Sequence, residues 1–117
     1  MATIKLSSTN NYNKKTILTQ CPVTFTLSKI GGRWKPLILW SLSRYSTQRY
    51  SELKKSIPAI TEKMLIQHLK ELEKDNLIVR KALPIVPPHV EYSLSKSGKA
   101  IQPILTAMAQ WGANYLK

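Results

Sequence analysis

The chain has 117 residues, enough for one domain with a real but modest core, and carries 18 Lys and Arg against 6 Asp and Glu, a net charge of +12. No apolar run approaches the roughly 20 residues of a spanning helix, the N-terminus lacks a secretory h-region, and the single cysteine cannot close an internal disulfide. These features argue against a membrane protein or a secreted disulfide scaffold and lead to the expectation of a cytoplasmic protein. Every acid lies between Glu52 and Glu91, so the first 51 residues hold Lys5, Lys14, Lys15, Lys29, Arg33, Lys35, Arg44 and Arg49 with no acid among them. Such a surface attracts polyanions such as nucleic acid.

Residues 1–16 are rich in Ser, Thr, Asn and Lys without apolar periodicity and read as a flexible tail, which leaves 17–117 as a single domain. Pro22 suits a first helical turn, Val23, Leu27 and Ile30 recur at helical spacing, and Gly31-Gly32 supplies the stop. A second helix is predicted over 34–43, with Pro36 in its first turn. Trp34, Leu37, Ile38, Leu39, Trp40 and Leu42 make it apolar nearly all round, the pattern of a buried central helix. A short helix follows over 51–57, with Ser51 as its N-cap and Leu53 and Ile57 facing inward. Pro58 then forces a sharp turn, and Thr61 caps a longer helix that runs to Asp75 with a core stripe of Leu65, Leu69 and Leu72. Asn76 suits the left-handed residue that ends it.

Two strands are predicted at 78–82 and 90–94, the second alternating Val90, Tyr92 and Leu94 with Glu91 and Ser93. The proline-rich segment 83–90 between them reads as an extended wing. A last helical element runs from Ser95 to the end, with Ile101, Ile104, Leu105, Met108, Trp111 and Tyr115 on one stripe and Pro103 confining its first turn. That stripe either seals the core or meets a partner. The fold class is mainly α with a small β-hairpin wing (α+β), a winged helix-turn-helix.

Setting the core stripe of the 61–75 helix inward places Lys63, Gln67, Lys70 and Lys74 on the opposite face, with Ile66 beside them and Thr61 at the N-terminal tip. A recognition helix reads bases with its N-terminal half and touches phosphate with the rest. Thr61, Lys63, Ile66 and Gln67 are therefore the base-edge candidates, with Gln67 suited to adenine and Ile66 to a thymine methyl; Lys70 is a mixed or phosphate contact. Arg80 and Lys81 at the base of the wing and His89 on its descending arm are candidates for a flanking groove or phosphates. Arg49, Arg33 and Lys35 complete the phosphate candidates.

Cys21 precedes Pro22 at a helix N-terminus, where the dipole favours a thiolate. It reads either as a thiol sensor of oxidants or electrophiles or as a small buried hydrophobe. Trp40 is a core residue or the lining of an effector pocket. His68 and His89 with one cysteine make no metal-ligand cluster, and no catalytic set or phosphate-cradling loop appears. No enzyme, metal or cofactor is expected.

The ordered series Cys21-Pro22-Val23, Gly32-Arg33-Trp34-Lys35, Arg49-Tyr50-Ser51-Glu52-Leu53, Ile57-Pro58-Ala59-Ile60-Thr61, Leu69-Lys70-Glu71-Leu72-Glu73 and Val86-Pro87-Pro88-His89-Val90-Glu91-Tyr92, with Trp111, resembles the HxlR-type winged helix-turn-helix regulators, relatives of the MarR group. The resemblance covers about residues 21–115. It implies a homodimeric transcriptional regulator, often a repressor, on a pseudo-palindromic double-stranded DNA operator. It also implies a dimer built by the first and last helices, which places Val23, Leu27, Ile104, Met108, Trp111 and Tyr115 at the interface. In several members the cysteine matching Cys21 senses oxidants or electrophiles. Three departures stand out: Ser46-Thr47-Gln48 where a glycine is frequent, Asn76 for the usual glycine, and His89 where arginine is common. The rival reading is a sequence-neutral nucleic-acid-binding or architectural protein with the same charge.

Overall fold

The computed structural model describes residues 21–116. The expected tail at 1–16 and the expected start of the domain at 17–20 lie outside the described residues. The chain divides into two compact units, 1–32 and 33–117.

The first unit contributes helix α1, Pro22–Ile30, with Pro22 in its first turn. Its end is closed by the Gly31 N–H donating to the Leu27 carbonyl, and a Cβ on Gly31 would lie 2.3 Å from that oxygen. Of the three apolar residues at helical spacing only Ile30 is buried; Val23 and Leu27 stand exposed.

The second unit begins with α2, Lys35–Tyr45, two residues longer at its C-terminal end than the sequence pattern suggests. Ile38, Leu39 and Leu42 are buried, but Leu37 is 42 % exposed, so α2 buries one face and not its whole circumference. Ser46, with φ 62°, reverses the chain into β1, Gln48–Arg49, a strand too short to show a period in the sequence. Gln48 is buried and its amide Nε2 donates to the Ser41 carbonyl at 3.0 Å and to Ser41 Oγ at 2.9 Å. Helix α3 spans Tyr50–Ser56, one residue earlier than expected. Its N-cap is Arg49 rather than Ser51, and the Arg49 N–H donates to Glu52 Oε1 at 2.8 Å.

Ile57, Pro58, Ala59 and Ile60 make the turn, with Ile57 and Ile60 buried. Helix α4, Glu62–Lys74, starts as its sequence indicates: Thr61 Oγ1 accepts the Met64 N–H at 3.1 Å. Leu65, Leu69 and Leu72 are buried to within 2 % of full coverage. Asn76 adopts φ 61°, and the Leu77 N–H returns to the Leu72 carbonyl at 2.9 Å, the six-residue closure that satisfies a helix C-terminus.

Strands β2, Ile78–Leu83, and β3, His89–Leu94, pair antiparallel from Ile78 opposite Leu94 to Leu83 opposite His89. The wing loop is therefore 84–88, shorter than the expected 83–90. β1 pairs on the other edge of β3, giving a three-stranded sheet in the order β1-β3-β2. Val90, Glu91, Tyr92 and Ser93 are all half-buried and only Leu94 is buried, so the alternation of the sequence does not show in the burial of β3.

The final element is two helices, α5, Lys96–Ala100, and α6, Gln102–Tyr115, where the pattern suggested one. Ser95 caps α5, its Oγ accepting the Gly98 N–H at 3.0 Å. A Cβ on Gly98 would meet the Leu77 carbonyl oxygen at 2.1 Å, so only glycine permits this approach of α5 to the start of β2. Pro103 sits in the first turn of α6, as expected. Helix α6 packs on α2, where Gln102 Nε2 donates to Ser43 Oγ at 3.0 Å. Among the described residues no helix is long and apolar enough to cross a membrane.

Candidate nucleic-acid interface

The outer face of α4 matches the assignment made from helical spacing. Lys63, Ile66, Gln67 and Lys70 are exposed, and Ile66 keeps 45 % of its surface open beside two lysines. Neither Lys63 nor Lys70 has an ion-pair partner among the described residues. Thr61 lies at the tip, but its hydroxyl oxygen is engaged as the cap acceptor, which leaves its O–H and methyl for a ligand.

Glu71, one turn further on, organises this helix and was not singled out by the sequence reading. Lys35 Nζ lies 2.7 Å from Glu71 Oε1, tying α2 to α4, and Gln67 Nε2 donates to Glu71 Oε2 at 3.1 Å. The Lys35 ammonium beside it, helped by the Gln67 amide, holds the Glu71 carboxyl down at about 2. Lys35, whose side chain is 13 % exposed, is thus spoken for within the fold. His68 faces the same carboxylate, its Nδ1 at 3.5 Å from Glu71 Oε1.

Arg80 on β2 lines a concavity of about 380 Å³ together with Ile66, Leu69, Lys70, Glu73 and Tyr92. The sheet thereby brings a wing cation to the reading face of α4. Lys81, the next residue along β2, falls on the opposite sheet face, because side chains alternate along a strand. His89 stands at the start of β3 with Nε2 3.7 Å from Glu91 Oε2, so it sits at the base of the wing beside an acid. Arg49, exposed at the N-cap of α3, is opposite Glu91 in the β1–β3 register. Arg33 stacks on Trp34, its guanidinium carbon 4.4 Å from the ring centroid. Tyr50 has a buried hydroxyl without a hydrogen-bond partner among the described residues, and burial, with Glu62 and Tyr92 nearby, pushes its pKa up.

In the first unit, Cys21 is the N-cap of α1 and half-buried. The Thr24 hydroxyl and the Thr24 N–H, at the open N-terminus of the helix, hold the thiol below its usual value. Val23 and Leu27 on α1, and Ile104, Met108, Trp111 and Tyr115 on α6, all keep between 46 % and 68 % of their surface open. Trp111 and Tyr115 stack with centroids 4.6 Å apart. Among the described residues no group of three or more His, Cys, Asp or Glu side chains is placed to hold a metal.

A capped helix with an unpaired basic outer face, launched by a proline turn and flanked by a β-ribbon, is a winged helix-turn-helix. The model of the HxlR-like helix-turn-helix family matches residues 29–117. The chain belongs to this HxlR-like family. It is 52 % identical over 93 residues to the regulatory protein named MalR of Fusobacterium mortiferum, covering 80 % of this chain and 88 % of that one. It is 48 % identical over 93 residues to the HTH-type transcriptional regulator YdzF of Bacillus subtilis, covering 80 % of this chain and 85 % of YdzF. Among solved structures it is similar to the redox regulator HypR in its oxidized form, at 39 % identity and a TM-score of 0.79 over 83 % of this chain and 99 % of that one. As an HxlR-like protein the chain is a helix-turn-helix transcriptional regulator and not an enzyme, and the fold is a DNA-binding one.

Proposed function

We propose that the protein is a dimeric, sequence-specific regulator, acting as a repressor, whose two copies of α4 enter successive major grooves of a pseudo-palindromic operator. The observation that carries this reading is the outer face of α4, where Lys63, Ile66, Gln67 and Lys70 are exposed together beside Arg80. Thr61, Lys63, Ile66 and Gln67 take the base edges; Lys70, Arg49, Arg80, Lys81, His89 and Arg33 take phosphate or the flanking groove. Gln67 gives up its bond to Glu71 when it turns to a base. Val23, Leu27, Ile104, Met108, Trp111 and Tyr115 form the contact between the two copies.

Footprinting on the gene's own promoter region tests the reading. Lys63→Ala relaxes base preference by about 1–3 kcal/mol, whereas Lys70→Ala weakens all duplexes alike. With six to ten phosphate contacts per dimer, affinity falls by roughly 10³–10⁵ between 50 and 200 mM salt. Equal affinity for operator and random duplex would instead make this a sequence-neutral binder. Repression is read by transcription from the footprinted promoter, which the protein lowers.

The reading includes thiol control through Cys21. It is supported by the Thr24 donors that favour the thiolate and by the similarity to HypR, a redox regulator. An oxidant or small electrophile modifies the sulfur, and mild diamide treatment changes operator binding in the wild type but not in Cys21→Ser. An equal response in both proteins rules this part out.

A further inference from the structure

A second concave site, of about 480 Å³, lies between α2 and the turn that launches α4. Its walls are aromatic and apolar: Trp34 at the N-cap of α2, Trp40 and Tyr45 from α2, and Pro58 from the turn. Two guanidinium groups stand at it. Arg33 lies over Trp34 at 4.4 Å, and Arg44 lies 5.7 Å from the Trp40 ring and 5.5 Å from that of Tyr45. Neither has a carboxylate partner among the described residues, and no acid lines the cavity. Its polar wall is a hydroxyl pair, Ser41 Oγ and Ser56 Oγ at 2.9 Å, with Ser41 buried and held by Gln48.

The volume falls in the range of small-molecule sites, which run from about 300 to 1,000 Å³. Flat π walls favour a planar ring, and unpaired guanidinium forks favour a carboxylate, which they grip with two parallel hydrogen bonds. The concavity beside α4 differs: Tyr92 is its one aromatic wall, and the acid Glu73 stands in it with Lys70 and Arg80. We propose that this cavity is an effector site for a planar aromatic carboxylate of one or two rings. The ring lies along Trp40 and Tyr45, and the carboxylate meets Arg44. Because Pro58 and Ala59 form one wall, the ligand presses on the turn that sets the direction of α4, and so changes operator affinity. This regulatory consequence, unlike the binding itself, rests on the DNA-binding reading above.

The test titrates the full chain with 2-naphthoate, uncharged 2-naphthamide and inorganic phosphate, followed by tryptophan fluorescence and calorimetry. Naphthoate binds at least tenfold more tightly than naphthamide, phosphate does not compete, and Arg44→Gln removes the naphthoate preference while leaving operator affinity without ligand unchanged. Ala59→Phe, at an exposed position, fills the cavity and abolishes binding of both aromatic compounds. Equal affinity for acid and amide, an unchanged naphthoate affinity in Arg44→Gln, or displacement by phosphate would each overturn the proposal. The fluorescence arm needs no DNA, so failure to find an operator leaves the binding result readable. Naphthoate binding that leaves operator affinity unaltered in a protein that does bind its operator would overturn the coupling to α4.

Discussion

Helices α4 and α6 carry similar apolar stripes, yet the chain treats them differently. In α4 every leucine of the stripe is buried, a threonine closes one end and Asn76 closes the other. In α6 only Leu105 is buried, while Ile104, Met108, Trp111 and Tyr115 keep about half or more of their surface open. An exposed apolar run of this size on an otherwise basic protein is a cost that the proposed second copy would remove. The difference teaches that one subunit suffices to shape α4, whereas the terminal helix presents the apolar face that the proposed dimer would cover.

The largest effect expected from this contrast is on α4. Leu65→Ala removes a fully buried side chain and costs about 2–5 kcal/mol in urea unfolding followed by circular dichroism. Trp111→Glu comes next: sedimentation equilibrium shows the dimer dissociation constant raised at least tenfold, with the far-ultraviolet spectrum kept. If Trp111→Glu unfolds the chain as Leu65→Ala does, the two stripes are equivalent and the contrast fails. Thr61→Ala, which deletes the cap of α4, costs about 1 kcal/mol in the same unfolding experiment.

The smallest expected effect is a dependence on pH. Glu71 has its carboxyl lowered from the ordinary 4.5 to about 2, so it favours the folded state above the unfolded value. That contribution is fully present above pH 4.5 and is lost as the pH falls through about 2. Its side chain is 42 % exposed, so solvent keeps the gain small. Glu71→Gln flattens the fall in melting temperature over that window; an unaltered slope would show that Lys35 does not clamp α2 to α4.

Much of the reading head was legible in the sequence because its signals are local. Pro58 with Thr61 marks the turn and the cap, and three leucines at helical spacing mark the inward face of α4. Asn76 announced its own left-handed geometry. What stayed hidden depends on residues far apart in the chain. The two residues of β1 carry no period of their own, and their pairing with Tyr92 and Glu91 exists only after folding. The start of α5 is set by the Ser95 cap and the close approach of Gly98 to Leu77, neither of which interrupts the apolar pattern. Lys35 has the composition of a phosphate contact, and only the position of Glu71 shows where its charge is used.

Asn76, which ends α4, also receives two hydroxyls from beyond the sheet. Ser95 Oγ and Ser97 Oγ both donate to its carbonyl at 2.6 Å, and the Ser95 N–H donates to the neighbouring Leu77 carbonyl at 3.0 Å. The end of the reading helix and the root of the C-terminal helices therefore meet at one rigid joint. In the proposed dimer held through α6, that joint would act as a caliper. It would convert the angle at which two copies cross into the distance between the two grooves they reach, so a change of one turn there would alter which operators fit.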